Sequence, residues 1–107
     1  MRILEFEVQK QRLKRRQTCD FSGLVAGSKG YLHARFYFSE EEWTACTNKV
    51  ARFWIGDKEH AAMLDEHNCC EIPPEALVGA EFEVSMLGVA PKYEIKTNKI
   101  CIRQEVC

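Results

Sequence analysis

The strict alternation of side chains in residues 31–38, with the sequence YLHARFYF, constrains the fold of this chain more than any other feature. Successive side chains in a β-strand point to opposite faces, so residues two apart share a face. One face of this segment would carry the apolar side chains Leu32, Ala34, Phe36 and Phe38, and the other Tyr31, His33, Arg35 and Tyr37. We therefore predict a half-buried strand that exposes Tyr31 and Tyr37 as candidate protein-binding residues.

Similar segments recur along the chain, separated by residues that favour turns. With residues 31–38 they cover 3–8, 50–55, 60–64, 82–86, 93–95 and 100–102, and the breaks include Gly56-Asp57, Pro73-Pro74, Gly88 and Pro91. About seven short strands favour an all-β fold, an antiparallel β-sandwich of the Ig-like or jelly-roll-like kind. No long helical segment follows the strands, so a parallel α/β sheet is disfavoured. The S-x-x-E spacing of Ser39 and Glu42 is typical of a capping box and predicts one short helical turn that ends near Trp43.

The length of 107 residues predicts a single domain over residues 1–107, with Trp43 and Trp54 in its core. Charged residues divide the apolar residues near the N-terminus, so no apolar stretch there reaches the length of a signal peptide. No segment approaches the roughly 20 apolar residues of a membrane span. We therefore expect a soluble chain without a membrane partner.

In a reducing compartment the cysteines would be free, partly buried thiols. The six cysteines are Cys19, Cys46, Cys69, Cys70, Cys101 and Cys107.

Two clusters of charge stand out against a formal net charge of -1. Residues 10–16 predict a mobile basic loop with the candidate protein-binding residues Lys10, Arg12, Lys14, Arg15 and Arg16. The turn before Trp43 carries the acidic candidates Glu40, Glu41 and Glu42. No aromatic residue is interleaved in the basic segment, whereas single-stranded nucleic-acid sites add stacking rings to their charges, so nucleic acid is disfavoured as a partner. The two clusters are also candidates for a head-to-tail contact that would make the chain a homo-oligomer.

The sequence contains none of the common catalytic or nucleotide-binding motifs, such as C-x-x-C, H-E-x-x-H, G-x-S-x-G or the Walker A sequence. The segment His67-Asn68-Cys69-Cys70 is a candidate zinc site, completed by His60 or Asp65. We favour the alternative that these are polar turn residues beside small thiols. A nucleophilic pair of Cys46 or Cys69 with His33 or His60 has equally little support. We therefore predict no catalytic residue, no metal and no cofactor.

Several segments of the chain resemble one known family. They are Gly27–Phe36, Phe38-Ser39 with Trp43, Cys70–Leu77, Phe82–Gly88 and Thr97-Asn98-Lys99. In this order the chain is similar to tail and baseplate structural proteins of phages and prophages of Gram-positive bacteria, in particular to the N-terminal domain of the baseplate upper protein. The resemblance implies a β-sandwich that docks onto other virion proteins without a cofactor or catalytic residues. The basic segment 10–16 departs from that pattern. We also expect a stand-alone domain without a fibre or receptor-binding region after it, which is a second departure.

Two functional hypotheses follow from the residues and the resemblance. In the first, the chain is a non-enzymatic protein-binding module, a structural component of the tail or baseplate or a decoration protein of a phage or prophage. It would be made in the bacterial cytoplasm and then enter the virion. In the alternative, it is a small phage-encoded inhibitor that binds a host enzyme or a defence nuclease.

Overall fold

The chain folds into two β-sheets that face each other across one core. The computed structural model describes residues 1–106, and Cys107 lies outside that part of the chain. The first sheet contains β1 (Arg2–Gln9), β2 (Arg12–Arg15), β3 (Leu32–Phe38) and β6 (Cys69–Glu71), in the spatial order β2-β1-β3-β6. The second sheet contains β4 (Asn48–Ile55), β5 (Lys58–Met63), β7 (Glu81–Val89), β8 (Glu94–Lys96) and β9 (Ile100–Arg103). Its order is β5-β4-β7-β8, and β9 also pairs with β7.

Two short helical segments connect the sheets. Helix α1 (Glu41–Thr44) leads from β3 to β4, and a 3-10 turn (Pro74–Leu77) leads from β6 to β7. No helix in residues 1–106 is long and apolar enough to cross a membrane.

The core lies between the sheets and is filled by alternate side chains of their strands. The first sheet supplies Leu4, Phe6, Val8, Leu32, Ala34 and Phe36, and the second supplies Ala51, Phe53, Phe82, Val84, Met86 and Ile102. Burying a large apolar side chain of this kind contributes about 1.5–3 kcal/mol to folding. The outward positions of the same strands are mostly polar, so each sheet presents one apolar face and one wetter face.

Asn98, between β8 and β9, closes one side of the sandwich. Its Oδ1 accepts a hydrogen bond from the Leu13 backbone N–H at 2.7 Å, and its Nδ2 donates to the Leu13 carbonyl oxygen at 3.3 Å. Its own backbone N–H donates to the carbonyl oxygen of Gln11 at 3.2 Å. The amide side chain therefore occupies the edge of β2, where another strand would otherwise pair.

The prediction of an all-β sandwich is confirmed, with differences in its details. Nine strands form within residues 1–106, rather than about seven. Strands β1 and β3 run parallel, with Arg2 opposite Leu32, whereas the other strand pairs are antiparallel. Part of the predicted basic loop forms β2, because Leu13 alternates into the core between the exposed side chains of Arg12 and Lys14.

Three local predictions were wrong. Trp43 is fully buried as predicted, but Trp54 is half-buried on the outer face of the second sheet because its neighbour Phe53 faces the core. The short helical turn forms as α1, yet its N-cap residue is Glu40 and no side chain among residues 1–106 caps it, so the capping box that starts at Ser39 does not form. The strand predicted to stop at Gly88 continues to residue 89.

Candidate protein-binding surface

Large apolar side chains are exposed mainly at the end of the sandwich where β1 and β3 begin. Eight large hydrophobic side chains are exposed in residues 1–106, and six of them belong to this end. We call these six the terminal apolar surface: Met1, Ile3, Val25, Tyr31, Val78 and Val106. Single exposed apolar side chains are normal, whereas a group of them at one place is typical of an interaction surface.

The parallel pairing of β1 with β3 positions the first part of this surface. The Arg2 backbone N–H donates to the carbonyl oxygen of Tyr31 at 2.9 Å, which places Met1 beside Tyr31. Ile3 lies opposite His33 in the strand register and shares a face with Met1, since the two are separated by one residue. Tyr31 is 51% exposed and Ile3 is 44% exposed, so both could contact a partner directly.

A short bridge between the loop before β3 and the end of the chain positions the two valines Val25 and Val106. The Glu105 backbone N–H donates to the carbonyl oxygen of Leu24 at 2.7 Å, and the Ala26 N–H donates to the carbonyl oxygen of Glu105 at 2.8 Å. These two bonds hold the exposed Val25 next to the segment that carries Val106.

The buried side chain of Gln104 fixes the backbone on both sides of Val78. The Nε2 of Gln104 donates to the carbonyl oxygens of Leu77 at 3.3 Å and Gly79 at 3.0 Å. The Gly27 backbone N–H also donates to the Leu77 carbonyl oxygen, at 2.7 Å. The segment around Val78 therefore lies against both the loop before β3 and the segment after β9.

Polar contacts anchor the connection between β2 and β3, which leads to the terminal apolar surface. The carboxylate of Asp20 accepts hydrogen bonds from the hydroxyl of Ser22 at 2.7 Å and from its backbone N–H at 2.8 Å, and these bonds lower the pKa of Asp20. The Nη2 of Arg2 donates to the carbonyl oxygens of Asp20 at 2.9 Å and Ser22 at 2.7 Å. Arg2 also lines a shallow pocket of about 130 Å³ together with Val25 and Tyr31.

Tyr37, predicted as the second exposed aromatic residue, is covered by neighbouring side chains. Its hydroxyl donates to the carboxylate of Glu5, and the guanidinium carbon of Arg16 lies 3.8 Å from the centre of its ring. Nη1 of Arg16 is also 3.9 Å from the Glu5 carboxylate. Tyr37 is therefore half-buried, and of the two predicted tyrosines only Tyr31 belongs to the exposed surface.

The basic segment and the acidic turn are neighbours at the opposite end of the sandwich. The Lys10 backbone N–H donates to the carboxylate of Glu40, and Nε1 of Trp43 donates to the Lys10 carbonyl oxygen at 2.7 Å. These clusters are therefore adjacent in one chain and are not the separate poles that a head-to-tail contact would use. The candidate side chains that stay exposed are Lys10, Arg12, Lys14, Arg15, Glu41 and Glu42, whereas Arg16 and Glu40 are half-buried.

The segment suggested as a zinc site forms a tight turn between β5 and β6. The carboxylate of Asp65 accepts the backbone N–H groups of His67 at 2.8 Å and Cys69 at 2.9 Å, and the bond from Cys69, followed by that from His67, lowers the pKa of Asp65. Asn68 adopts a positive φ of 61°, which asparagine tolerates better than most residues. Residues 1–106 contain no group of three or more His, Cys, Asp or Glu side chains that could hold a metal ion.

Five cysteines of the described chain are free thiols: Cys46 and Cys70 are buried, and Cys19, Cys69 and Cys101 are half-buried. Cys46 is buried, its thiol donates to the Glu42 carbonyl oxygen at 3.3 Å, and burial raises its pKa. Burial likewise raises the pKa of Cys70 to about 12. His33, one suggested partner of Cys46, lies on the first sheet opposite Glu71. The sixth cysteine lies outside the described residues.

Sequence reasoning identified Tyr31 but missed the rest of the terminal apolar surface. A signal was present for Ile3, because it shares the outward face of β1 with Glu5 and is an apolar residue among polar ones. Val78 and Val106 lie outside the strands, where alternation assigns no face. Their grouping depends on hydrogen bonds between segments far apart in the chain.

No family model, curated protein or solved structure matches this chain.

Proposed function

We propose that this chain is a non-enzymatic protein-binding module that contacts its partner through the terminal apolar surface. The observation that carries the proposal is the presence of six exposed large apolar side chains at one end of the sandwich. Removing such side chains from water on binding is favourable, and an aromatic residue such as Tyr31 often provides a large share of the binding energy.

Hydrogen bonds hold several backbone segments of this surface in place. Hydrogen bonds fix the backbone on which its exposed side chains stand, including those of Glu105 to Leu24 and Ala26 and those of Gln104 around Val78. A binding surface that is already ordered loses less conformational entropy in the complex. The arrangement therefore supports a stable protein contact more strongly than isolated exposed side chains would.

We further propose that the partner is a structural protein of a phage or prophage virion and that the chain is a tail, baseplate or decoration component. The support for this partner is the sequence resemblance, and one of the segments that carry it contributes a residue to the surface, while a second segment borders it. Gly27–Phe36 contains Tyr31, and Cys70–Leu77 directly precedes Val78.

Mass spectrometry of purified virions from an induced lysogen that produces this chain tests the proposal. We expect the chain in virions or tail preparations at a fixed ratio to the other structural proteins. Its presence in infected cells together with its absence from purified particles would overturn the virion assignment. A host enzyme recovered with the chain in stoichiometric amount would then support the inhibitor alternative.

A matched pair of tyrosine variants tests the surface itself. Tyr31→Ser removes a ring that is 51% exposed within the surface, and Tyr93→Ser removes one that is 41% exposed outside it, beside Glu42. We expect Tyr31→Ser to reduce incorporation into particles about tenfold or more, because an interface aromatic residue contributes about 2 kcal/mol or more. Tyr93→Ser should be incorporated like the unmodified chain. Equal incorporation of both variants would contradict binding through this surface.

A further inference from the structure

The edge of β5 differs from the other strand edges of the two sheets. The edge of β2 is covered by Asn98, and the backbone of Cys69 in β6 exchanges hydrogen bonds of 2.9 Å with the N–H and the carboxylate of Asp65. The carbonyl oxygens of Lys96 in β8 and Cys101 in β9 accept side-chain hydrogen bonds from the β1–β2 hairpin. Each of these edges therefore has a local partner for part of its backbone.

The backbone geometry of the β4–β5 hairpin defines which groups of β5 point outward. A two-residue turn joins the paired residues Ile55 and Lys58, and the Leu64 N–H donates to the Lys49 carbonyl oxygen at 2.9 Å. Hydrogen-bonded positions alternate along an antiparallel pair, so the even-numbered residues of β5 bond to β4. The backbone groups of Glu59, Ala61 and Met63 then point away from β4.

In residues 1–106, no hydrogen bond from another segment reaches these outward groups. The charged residues of the strand, Lys58 and Glu59, stand at its first end, and it contains no proline, so its last three residues, Ala61, Ala62 and Met63, carry neither form of edge protection. Met63 is 62% exposed at the end of this uncharged part. Such an edge can accept a further strand by backbone pairing.

We propose that β5 pairs antiparallel with β5 of a second copy of this chain, with Ala61 on the two-fold axis. In this register Ala61 lies opposite Ala61 of the second copy, and Glu59 lies opposite its Met63. Every outward backbone N–H and C=O of the three odd-numbered residues then has a partner. A continuous sheet would run through both copies.

Self-complementarity favours a second copy as the occupant. The small side chain of Ala61 allows the strands to approach at the axis, and no like charges lie directly opposite each other in this register. The carboxylate of Glu59, which faces Met63 of the second copy, is already paired with Nε of Arg52 at 2.6 Å. Moving the axis to Glu59 would oppose two carboxylates, and moving it to Met63 would carry Ala61 past the end of the strand.

Sedimentation and hydrogen exchange of the purified full chain test the proposal. Pairing along one short edge buries little area, so we expect monomers at about 10 μM and a rising share of dimers towards about 1 mM. The amide protons of Ala61 and Met63 should exchange more slowly as dimers form. Those of His60 and Ala62, which bond to β4, should be protected at both concentrations. A chain that stays monomeric, or a dimer that leaves Ala61 and Met63 unprotected, would overturn the proposal.

Two substitutions at the axis distinguish edge pairing from other contacts. Ala61→Lys places two like charges opposite each other and should weaken the dimer about tenfold or more. Ala61→Pro removes the N–H that points outward and leaves the bonds to β4 in place, so it should have the same effect if the fold tolerates it. Ala45→Lys, at an exposed position just after α1 and outside both surfaces, is the matched control and should dimerise normally. Unchanged dimerisation of folded Ala61→Lys refutes the pairing, whatever the virion experiment shows.

Discussion

Replacing Gly88 by alanine should destabilise the sandwich, because β7 passes directly under the ring of Trp43. A Cβ added at Gly88 would lie 2.7 Å from Cζ3 of Trp43 and 2.7 Å from Sγ of Cys46. Favourable contacts between carbon atoms are about 3.5–4.0 Å long, so one of the three groups must move. Both neighbours are buried, and Nε1 of Trp43 is held by the Lys10 carbonyl oxygen at 2.7 Å.

The expected change in the free energy of unfolding is the difference between two opposing effects. Overpacking a core by one methyl group costs about 1–3 kcal/mol, whereas replacing glycine in a compatible conformation gains about 0.4–1 kcal/mol through the unfolded state. We therefore expect Gly88→Ala to lower the free energy of unfolding by about 1–2 kcal/mol. Gly79→Ala is the matched control, since its Cβ would meet nothing within 4 Å, and it should be neutral or slightly stabilising.

Urea unfolding followed by tryptophan fluorescence measures both variants, with the midpoint expected to fall for Gly88→Ala at an unchanged slope. Repeating Gly88→Ala in a Trp43→Phe background tests the mechanism, because a smaller ring should relieve part of the clash and reduce the penalty. The reasoning is refuted if Gly88→Ala is as stable as Gly79→Ala. It is also refuted if the penalty is the same with either ring.

Two further predictions concern the connections between segments. Asn98→Ala leaves the Leu13 N–H without its partner at the edge of β2 and should cost about 1–3 kcal/mol in urea unfolding; a loss below about 0.5 kcal/mol would contradict the role of Asn98. Asp65→Asn should make the stability of the fold depend less on pH in the acid range. The folded-state pKa of Asp65 is lowered from 3.8, so its carboxylate stabilises the fold above that pH and loses this effect as pH falls through the folded value. Melting temperatures of both proteins from neutral to acid pH measure this, and parallel curves would refute it.

Much of the fold could be predicted from alternation within single segments. The faces of β1 and β3 follow from residues two apart, and the Gly56-Asp57 turn predicts the β4–β5 hairpin correctly. The same rule applied to Phe53 would have placed Trp54 outside the core. The parallel pairing of β1 with β3 could not be predicted in this way, because it depends on which strands meet across a long connection.

The binding surface was predictable only in part, for a related reason. Tyr31 and Tyr37 share one strand face, and sequence alone treats them alike. Their difference arises from Glu5 in the neighbouring strand β1 and from Arg16 just after β2, which both contact Tyr37, whereas Tyr31 remains 51% exposed. Exposure within a face therefore depends on tertiary neighbours that period-two patterns do not identify.

The order of strands in the second sheet has a consequence for synthesis on the ribosome. Strand β7 lies at the centre of that sheet, between β4 and the pair β8 and β9, yet it is among the last segments to be made. The early strands therefore leave the ribosome before the layer that covers them can assemble. During this interval Phe6 and Phe36 have no opposing sheet to shield them from water, which makes the nascent chain most vulnerable to aggregation just before β7 emerges.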